Sequence, residues 1–455
     1  MKVIEVKNIL FFSLLLFVAC TEPIDIAEGS DILSELKIID ILFNGSEVTI
    51  DWTNVQSAQD QTVRYELFLN QKFIQELTES MSVLDLDYNT NYKAKIIATD
   101  SNDNSSELTF SFDTLTSEIL FFSDHYGDLT AYDLLTNDIL WKRETLTTEV
   151  HSIADNKVYS GIGGINAFNI FSGEQVWTYN PNPSQGKEYH DILADSTTVY
   201  AFDSSSNLHA VDVATKSTLW TYPFIDHTAP LALDDTHLFA CGIDEDHLYA
   251  FNKLTGSVDW SFSLDDATSF NVNPLVTDTH IYVGDNMGVI YAIDKMTGID
   301  TWSNNSGSTV PFSASPILSG DHLIIGTINT LYAYHKDTGV LQWSYTPSSG
   351  TLFSSPFITN DNVHITISDT NNSQVISLNA LNGELNWAYD LTHDSMASPI
   401  IYNDVVYCND LNKQLFAINI NSSSLDWQIK TNGIVTKSPT LVIGNSEAVV
   451  YPSMH

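Results

Sequence analysis

Eight tryptophans recur at a near-constant interval through the last three quarters of this 455-residue chain. Trp141, Trp177, Trp220, Trp260, Trp302, Trp343, Trp387 and Trp427 follow one another 36 to 44 residues apart. Ten positions ahead of each stands a small residue: Ala131, Ala167, Ala210, Ala250, Ala292, Ala333, Ser377 or Ala417. Eight ahead is Asp133, Asn169, Asp212, Asn252, Asp294, His335, Asn379 or Asn419. Four ahead, five copies carry glycine (Gly173, Gly256, Gly298, Gly339 and Gly383), and the others carry Asn137, Lys216 and Ser423. A fixed internal period of this length marks a repeat architecture whose units cannot bury their faces alone.

The unit is legible in LYAFNKLTGSVDW, IYAIDKMTGIDTW and LYAYHKDTGVLQW. An alternating apolar strand ends at Asp or Asn, whose side chain can bond the amides of the following turn. Glycine allows a positive φ there, and the chain returns as a second strand ending in tryptophan. Upstream lies another strand, as in THIYVG and DHLIIG. Before that comes a run introduced by Pro230, Pro274, Pro316, Pro356, Pro399 or Pro439, since proline suits the first residue of a strand. Four short strands per repeat make a propeller blade, with the tryptophan expected to dock one blade on the next.

These segments reproduce an A-x-[DN]-x-x-T-G-x-x-x-W motif, and over residues 117–455 the chain resembles the quinoprotein (PQQ-like) propeller repeat. The resemblance implies an all-β chain with an eight-bladed quinoprotein-like β-propeller. The first copy, EILFFSDHYGDLTAYDLLTNDILW, has no proline-led strand before it, and the C-terminal KSPTLVIGNSEAVVYPSMH has no tryptophan half. The chain end is therefore expected to complete the blade its beginning started, with AVVYPS and ILFFSD competing for one strand position.

Ahead of the repeats, residues 33–116 read as a small β-sandwich. Val48, Ile50 and Trp52 alternate onto one face, as do Val63, Tyr65 and Leu67, and Tyr92, Ala94, Ile96 and Ala98. LDLDYNTNYKAKIIATDSNDNSS resembles the E–F region of a fibronectin type III domain, which would make Trp52 its inner tryptophan and Tyr92 its corner tyrosine. Asp100, Asn102 and Asp103 would then lie in the F–G loop, without the glycine and bidentate glutamate of a hand-type calcium site. At the N-terminus, Lys2 and Lys7 precede an apolar run from Ile9 to Phe17 that is too short to span a bilayer. Residues 1–19 read as a signal peptide. Val18-Ala19-Cys20 resembles a bacterial lipobox with Phe17 in place of its usual leucine, which implies lipidation of Cys20. An ordinary signal peptide with an incidental cysteine is the other reading. Residues 20–32 are an acidic tether.

Charge narrows the partners. Asp and Glu number 57 against 18 Lys and Arg, a net of −39, which repels nucleic acid and leaves the membrane reachable only through a lipid. Cys241 and Cys408 sit in apolar strand runs and read as buried free thiols. Quinoprotein dehydrogenases share the repeat, and that resemblance implies basic side chains for a tricarboxylate cofactor, a calcium site and often adjacent cysteines. Here the only arginines are Arg64 and Arg143, while Lys253, Lys295 and Lys336 recur in one turn. No cofactor and no catalytic residue are therefore expected. His237, His280 and His322 hold one repeat position in successive blades and cannot converge on one ion. Asp244, Glu245 and Asp246 are the candidate cation ligands, because hard oxygens suit calcium. Small polar loop residues such as Ser313, Ser315, Ser354, Ser355 and Ser395 are expected at one mouth of the propeller, available for recognition.

Lipobox and propeller together resemble the lipid-anchored, BamB-like propellers of the outer-membrane β-barrel assembly machinery. That implies a non-catalytic binding or assembly scaffold of the cell envelope, periplasmic or surface-exposed, with envelope proteins as partners. The alternative is a cell-surface protein that binds or processes glycans, or a quinone-dependent dehydrogenase.

Overall fold

Strands dominate throughout, as the period-two patterning requires. The computed structural model describes residues 33–451 apart from 59–60, 145–151, 162, 182–187, 225–230, 242–245, 265–268, 271, 308–309, 370–372, 392, 436–437 and 445–448. Contacts divide the chain into two compact units. The first holds residues up to Ile41 with Thr49–Ser82 and Tyr92–Phe112; the second holds Leu42–Val48, Val83–Asn91 and the chain from Asp113 onward.

Seven strands come before the repeats: β1 (Ile38–Asn44), β2 (Glu47–Trp52), β3 (Val63–Leu69), β4 (Lys72–Leu77), β5 (Met81–Asp85), β6 (Asn91–Asp100) and β7 (Ser105–Asp113). They form two antiparallel sheets, ordered β1–β2–β5 and β4–β3–β6–β7. The alternating apolar residues of β2, β3 and β6 are all buried, and Trp52 meets Tyr65 edge-on at 5.5 Å. Asp100 serves its own turn: its carboxylate accepts from the Asn102 and Asn104 amides and from the Ser57 hydroxyl.

Eight further sheets follow, one per tryptophan. Blades two to eight are each four consecutive antiparallel strands, running from Ile153 to Tyr179, Tyr189 to Pro223, Leu231 to Ser263, Leu275 to Asn305, Phe312 to Tyr345, Phe357 to Asp390 and Ile400 to Lys430. Blade one is the seam. Thr440–Ile443 pairs antiparallel with Glu118–Ser123, so the chain's last repeat fragment closes the ring on its first. The expected competition for one position does not occur. Val449–Tyr451 adds a fifth strand on the far side of Thr440–Ile443, leaving Glu118–Ser123 its own place. Pro274, Pro356, Pro399 and Pro439 directly precede the first strands of their blades. Pro316 lies inside Phe312–Ser319, where the register slips between Ala314 and Ile317, a bulge that spares the ladder a missing donor.

The joints show why the repeat has its composition. The indole N–H of Trp141, Trp177, Trp220, Trp260, Trp302 and Trp343 donates to a carbonyl of the next blade: Ile170, Val213, Lys253, Lys295, Lys336 and Ala380, at 2.7–3.0 Å. Each motif glycine lies under the preceding blade's indole. A Cβ on Gly173, Gly256, Gly298, Gly339 or Gly383 would come within 2.4–2.7 Å of that ring. At these five joints glycine serves twice, for its positive φ and for the room it leaves. Asn137, Lys216 and Ser423 accept the same left-handed backbone at φ 58°, 57° and 49°. The Asp or Asn ahead accepts from turn amides, as Asn169 does from Phe171 and Ser172. His335 does the same through Nδ1, accepting from Asp337.

The alanine has a separate role. Across each blade one row pairs a large residue on the second strand, the alanine on the third and the tryptophan on the fourth. Examples are Tyr200–Ala210–Trp220 and Tyr282–Ala292–Trp302. The fully buried methyl lets the two rings approach to about 6 Å, 6.0 Å for Tyr200–Trp220 and 6.2 Å for Tyr282–Trp302. A β-bulge beside it sets the tryptophan's aim. Blade seven breaks the row with His364–Ser377–Trp387. There the imidazole lies 5.9 Å from the indole, and Thr359 Oγ1 is 2.8 Å from His364 Nε2. His364 Nδ1 and Ser377 Oγ are buried without a hydrogen bond.

Two expectations follow. Gly339→Ala should destabilise by about 3 kcal/mol, combining left-handed strain with a clash on Trp302. Gly320→Ala, at φ 58° with nothing in reach of a Cβ, should cost only about 1 kcal/mol. Urea unfolding of the pair separates packing from backbone strain, and equal losses would remove the indole from the account. The second concerns acid. Burial holds the His364 imidazole down at about 4 from its usual 6.5. Between those values the unfolded chain binds more protons than the native one, so stability falls as pH drops through the window. His364→Phe should flatten that loss by at most about 3 kcal/mol, measured as the difference between the two proteins' unfolding energies along the pH series.

Candidate functional site

Antiparallel strand order sorts the loops into two ends. One end gathers the turns between second and third strands with the connections that carry the chain from each blade to the next. Backbone bonds tie them together: His125 N–H to Ile434 C=O at 2.8 Å, Asn286 to Ser269 at 2.9 Å, and Leu411 to Asp394 at 2.7 Å. The other end carries the tryptophan-docking turns.

The small polar residues expected to be free at the mouth are mostly buried. From Pro274 onward, the residue just before each strand-leading proline bonds across to a neighbouring blade. Asn273 N–H donates to Ser315 Oγ at 3.1 Å, Ser315 N–H to Ser355 Oγ at 3.0 Å, Ser355 N–H to Ser398 Oγ at 2.8 Å, and Ser398 N–H to Ser438 Oγ at 2.8 Å. The four hydroxyls are buried and stitch blades five to one in sequence. Ser354 faces inward as well, exchanging bonds with Thr366. A buried amide needs an acceptor, and serine is the smallest side chain that supplies one. The clue is the repeated Ser-Pro dipeptide, which sets Ser315, Ser355, Ser398 and Ser438 at one fixed place in successive blades.

Four turns at this end are built on a buried aspartate. Oδ1 of Asp124, Asp203, Asp285 and Asp410 accepts from the amides two and four residues on. The second oxygen finds varied partners: Gly433 N–H for Asp124, His209 for Asp203, the Tyr291 hydroxyl for Asp285 and His393 at 3.3 Å for Asp410. Burial pushes the Asp410 carboxyl up, against the pull of its two amides and His393. These carboxylates hold turns. Among the residues the face presents outward are four apolar or aromatic ones: Tyr126 (58 % exposed) and Met287 (48 %) in two turns, with Phe353 (37 %) and Met396 (38 %) in two connections. Phe353 and Met396 hold the same position, three before the proline, in successive blades. Neither stands out as an anchor in the sequence, because single apolar residues in loops carry no periodic signal.

The other singled-out residues are dispersed. Cys20, Asp244 and Glu245 lie outside the described residues, while Asp246 sits in its turn at φ 54°. Among the described residues no three His, Cys, Asp or Glu side chains gather as metal ligands. His237, His280 and His322 each open the second strand of a separate blade. Lys253 and Lys295 reach back to the preceding blades, pairing with Asp195 at 2.6 Å and Asp234 at 2.9 Å, whereas Lys336 pairs with Asp321 within its own blade. Cys241 and Cys408 are buried free thiols, pushed up by burial.

Residues 93–228, 217–366 and 286–451 match the family described as outer membrane protein assembly factor BamB. The BamB of Kangiella koreensis is 25 % identical over 191 residues, 38 % of this chain and 48 % of that protein. The chain thus spans about half the length of this curated relative. Among solved structures, BamB from Moraxella catarrhalis superposes with a TM-score of 0.54 at 15 % identity, covering 67 % of this chain and 95 % of that one. Apo AztD from Citrobacter koseri does so with a TM-score of 0.54 at 11 % identity, covering 73 % and 99 %. Identities this low establish a shared fold.

Ser355→Ala should cost about 1–3 kcal/mol, because it leaves the buried Ser315 amide without an acceptor. Ser313→Ala, two residues before Ser315 and exposed, should stay within about 0.5 kcal/mol of the parent. Thermal unfolding of the two variants checks this; indifference at both sites would mean the serine chain contributes nothing.

Proposed function

The chain belongs to the outer membrane protein assembly factor BamB family, and on that premise we propose that it is a non-catalytic binding scaffold of the bacterial cell envelope. It is held at the outer membrane by acylation of Cys20 and recognises envelope proteins through the loop face. One observation carries the reading. The loop face turns Ser315, Ser354, Ser355, Ser398 and its four turn aspartates inward to joints and turns, and leaves Tyr126, Met287, Phe353 and Met396 outward. Aromatic and methionine side chains are the types that anchor protein interfaces. A catalytic mouth would be expected to turn its acids and nucleophiles outward instead.

Residues 1–19 act as the export signal, 20–32 as a tether, 33–116 as a fibronectin type III-like spacer and 117–455 as the propeller that binds. Acyl chains on Cys20 supply the attachment that a strongly acidic surface cannot find on anionic lipid.

In cells, a photo-crosslinking residue at Phe353 or Met396 should trap envelope proteins. The same residue at Leu254, 85 % exposed in a docking turn at the opposite end, should not. Equal trapping at both ends would refute the loop-face assignment. Cys20→Ser should move the protein from the membrane to the soluble fraction, and retention there would refute the lipid anchor.

A further inference from the structure

Blade eight departs from its sisters at one residue on the loop face. The fourth position of the aspartate-built turn is Gly127 in blade one, Ser206 in blade three, Gly288 in blade five and Lys413 in blade eight, all with positive φ (83°, 63°, 77° and 66°). Lysine bears a left-handed strain there that glycine takes freely. The turn's hydrogen bonds do not call for it, since Asp410 accepts from Asn412 and Gln414 as Asp285 accepts from Met287 and Val289. An unforced strained residue invites a search for a role outside the turn.

Lys413 borders a cleft of about 500 Å³ together with Asn412, Lys430, Thr431 and Asn432. Its Nζ donates to the Asn432 carbonyl at 3.0 Å and lies 5.5 Å from the Tyr126 ring centre. Among the described residues Lys413 and Lys430, like the exposed Lys216 of a docking turn, pair with no carboxylate, whereas Lys142, Lys157, Lys253, Lys295 and Lys336 of the same unit do. Asp128, bonded by the Asn432 amide, is already paired with Lys142 at 2.7 Å. In a chain of net charge −39, two ammonium groups without carboxylate partners share one cleft.

We propose that this cleft binds a carboxylate-bearing peptide segment of a partner protein. The lysines answer the side-chain charge, and Asn412, Thr431 and Asn432 offer donors and acceptors to peptide groups. A sugar acid fits less well, because the ring that would stack on it already carries Lys413 and lies 3.9 Å from the His125 ring. The acidic surface repels anions at a distance while screening confines the lysines' pull to contact range. The cleft therefore selects a short acidic stretch on a surface that is otherwise not strongly negative. The proposal supplies a partner chemistry for the scaffold reading and rests on it.

Fluorescence anisotropy of labelled hexaglutamate with the purified full chain tests the cleft directly. Saturable binding that weakens as salt rises is expected. Lys413→Gly and Lys430→Gln should each weaken it roughly tenfold. Lys413→Gly should melt no lower than the parent, because it restores the turn's glycine. No binding by the parent, or undiminished binding by the double variant, would overturn the proposal. So would polygalacturonate displacing the peptide at lower carboxylate concentration, which would reassign the cleft to acidic glycans. Failure of the peptide with crosslinking at Phe353 intact sinks the cleft alone. Intact peptide binding with no loop-face crosslink sinks the scaffold reading instead.

Discussion

The propeller depends on an indole ring lying flat over a glycine of the next blade while its N–H closes on that blade's backbone. The contact joins two sheets through apolar area and through one satisfied donor, so it has both strength and direction. Everything else in the motif prepares it. The alanine clears space behind the ring, the bulge turns the side chain, and the Asp or Asn folds the turn that brings the receiving carbonyl into place. Because the same joint recurs, the blade-to-blade geometry is set locally, and no long-range feature has to fix the ring's curvature.

A second line of joints runs through the serines before the prolines, at the opposite end of the blades. Lys253 and Lys295 add ion pairs between neighbours on the docking side. Half-buried pairs of this kind are screened less than surface ones, and on a chain this acidic each cation also relieves repulsion among carboxylates. Lys142, Lys157 and Lys336 pair with carboxylates inside their own blades. Lys413 and Lys430 differ in standing together at one cleft with no carboxylate partner among the described residues.

Much of the fold was legible because periodicity is a global signal that survives local exceptions. His335 in place of Asp, or Ser423 in place of Gly, does not erase a rhythm repeated eight times. The seam was harder, since AVVYPS and ILFFSD have equal strand character, and only hydrogen-bond partners separate a second strand from an added fifth. The site was least legible. Ser315 and Ser355 have the composition of a solvated loop, and nothing in their spacing shows that they point into the neighbouring blade. His364 and Ser377 likewise look like noise in the repeat until the row across blade seven puts them side by side.

The seam also bears on how the molecule reaches its native state. Glu118–Ser123 receives its inner neighbour from Thr440–Ile443, the longest-range pairing in the ring. A polypeptide emerging N-terminus first must keep Leu120 and Phe122 without their full native cover until the final repeat is delivered, because both share one buried cluster with Leu441. Ring closure should consequently be the slow event of folding, a high-contact-order step. Meanwhile the unlatched edge of blade one is the place where a chaperone would be needed and where a neighbouring chain's tail could insert by mistake.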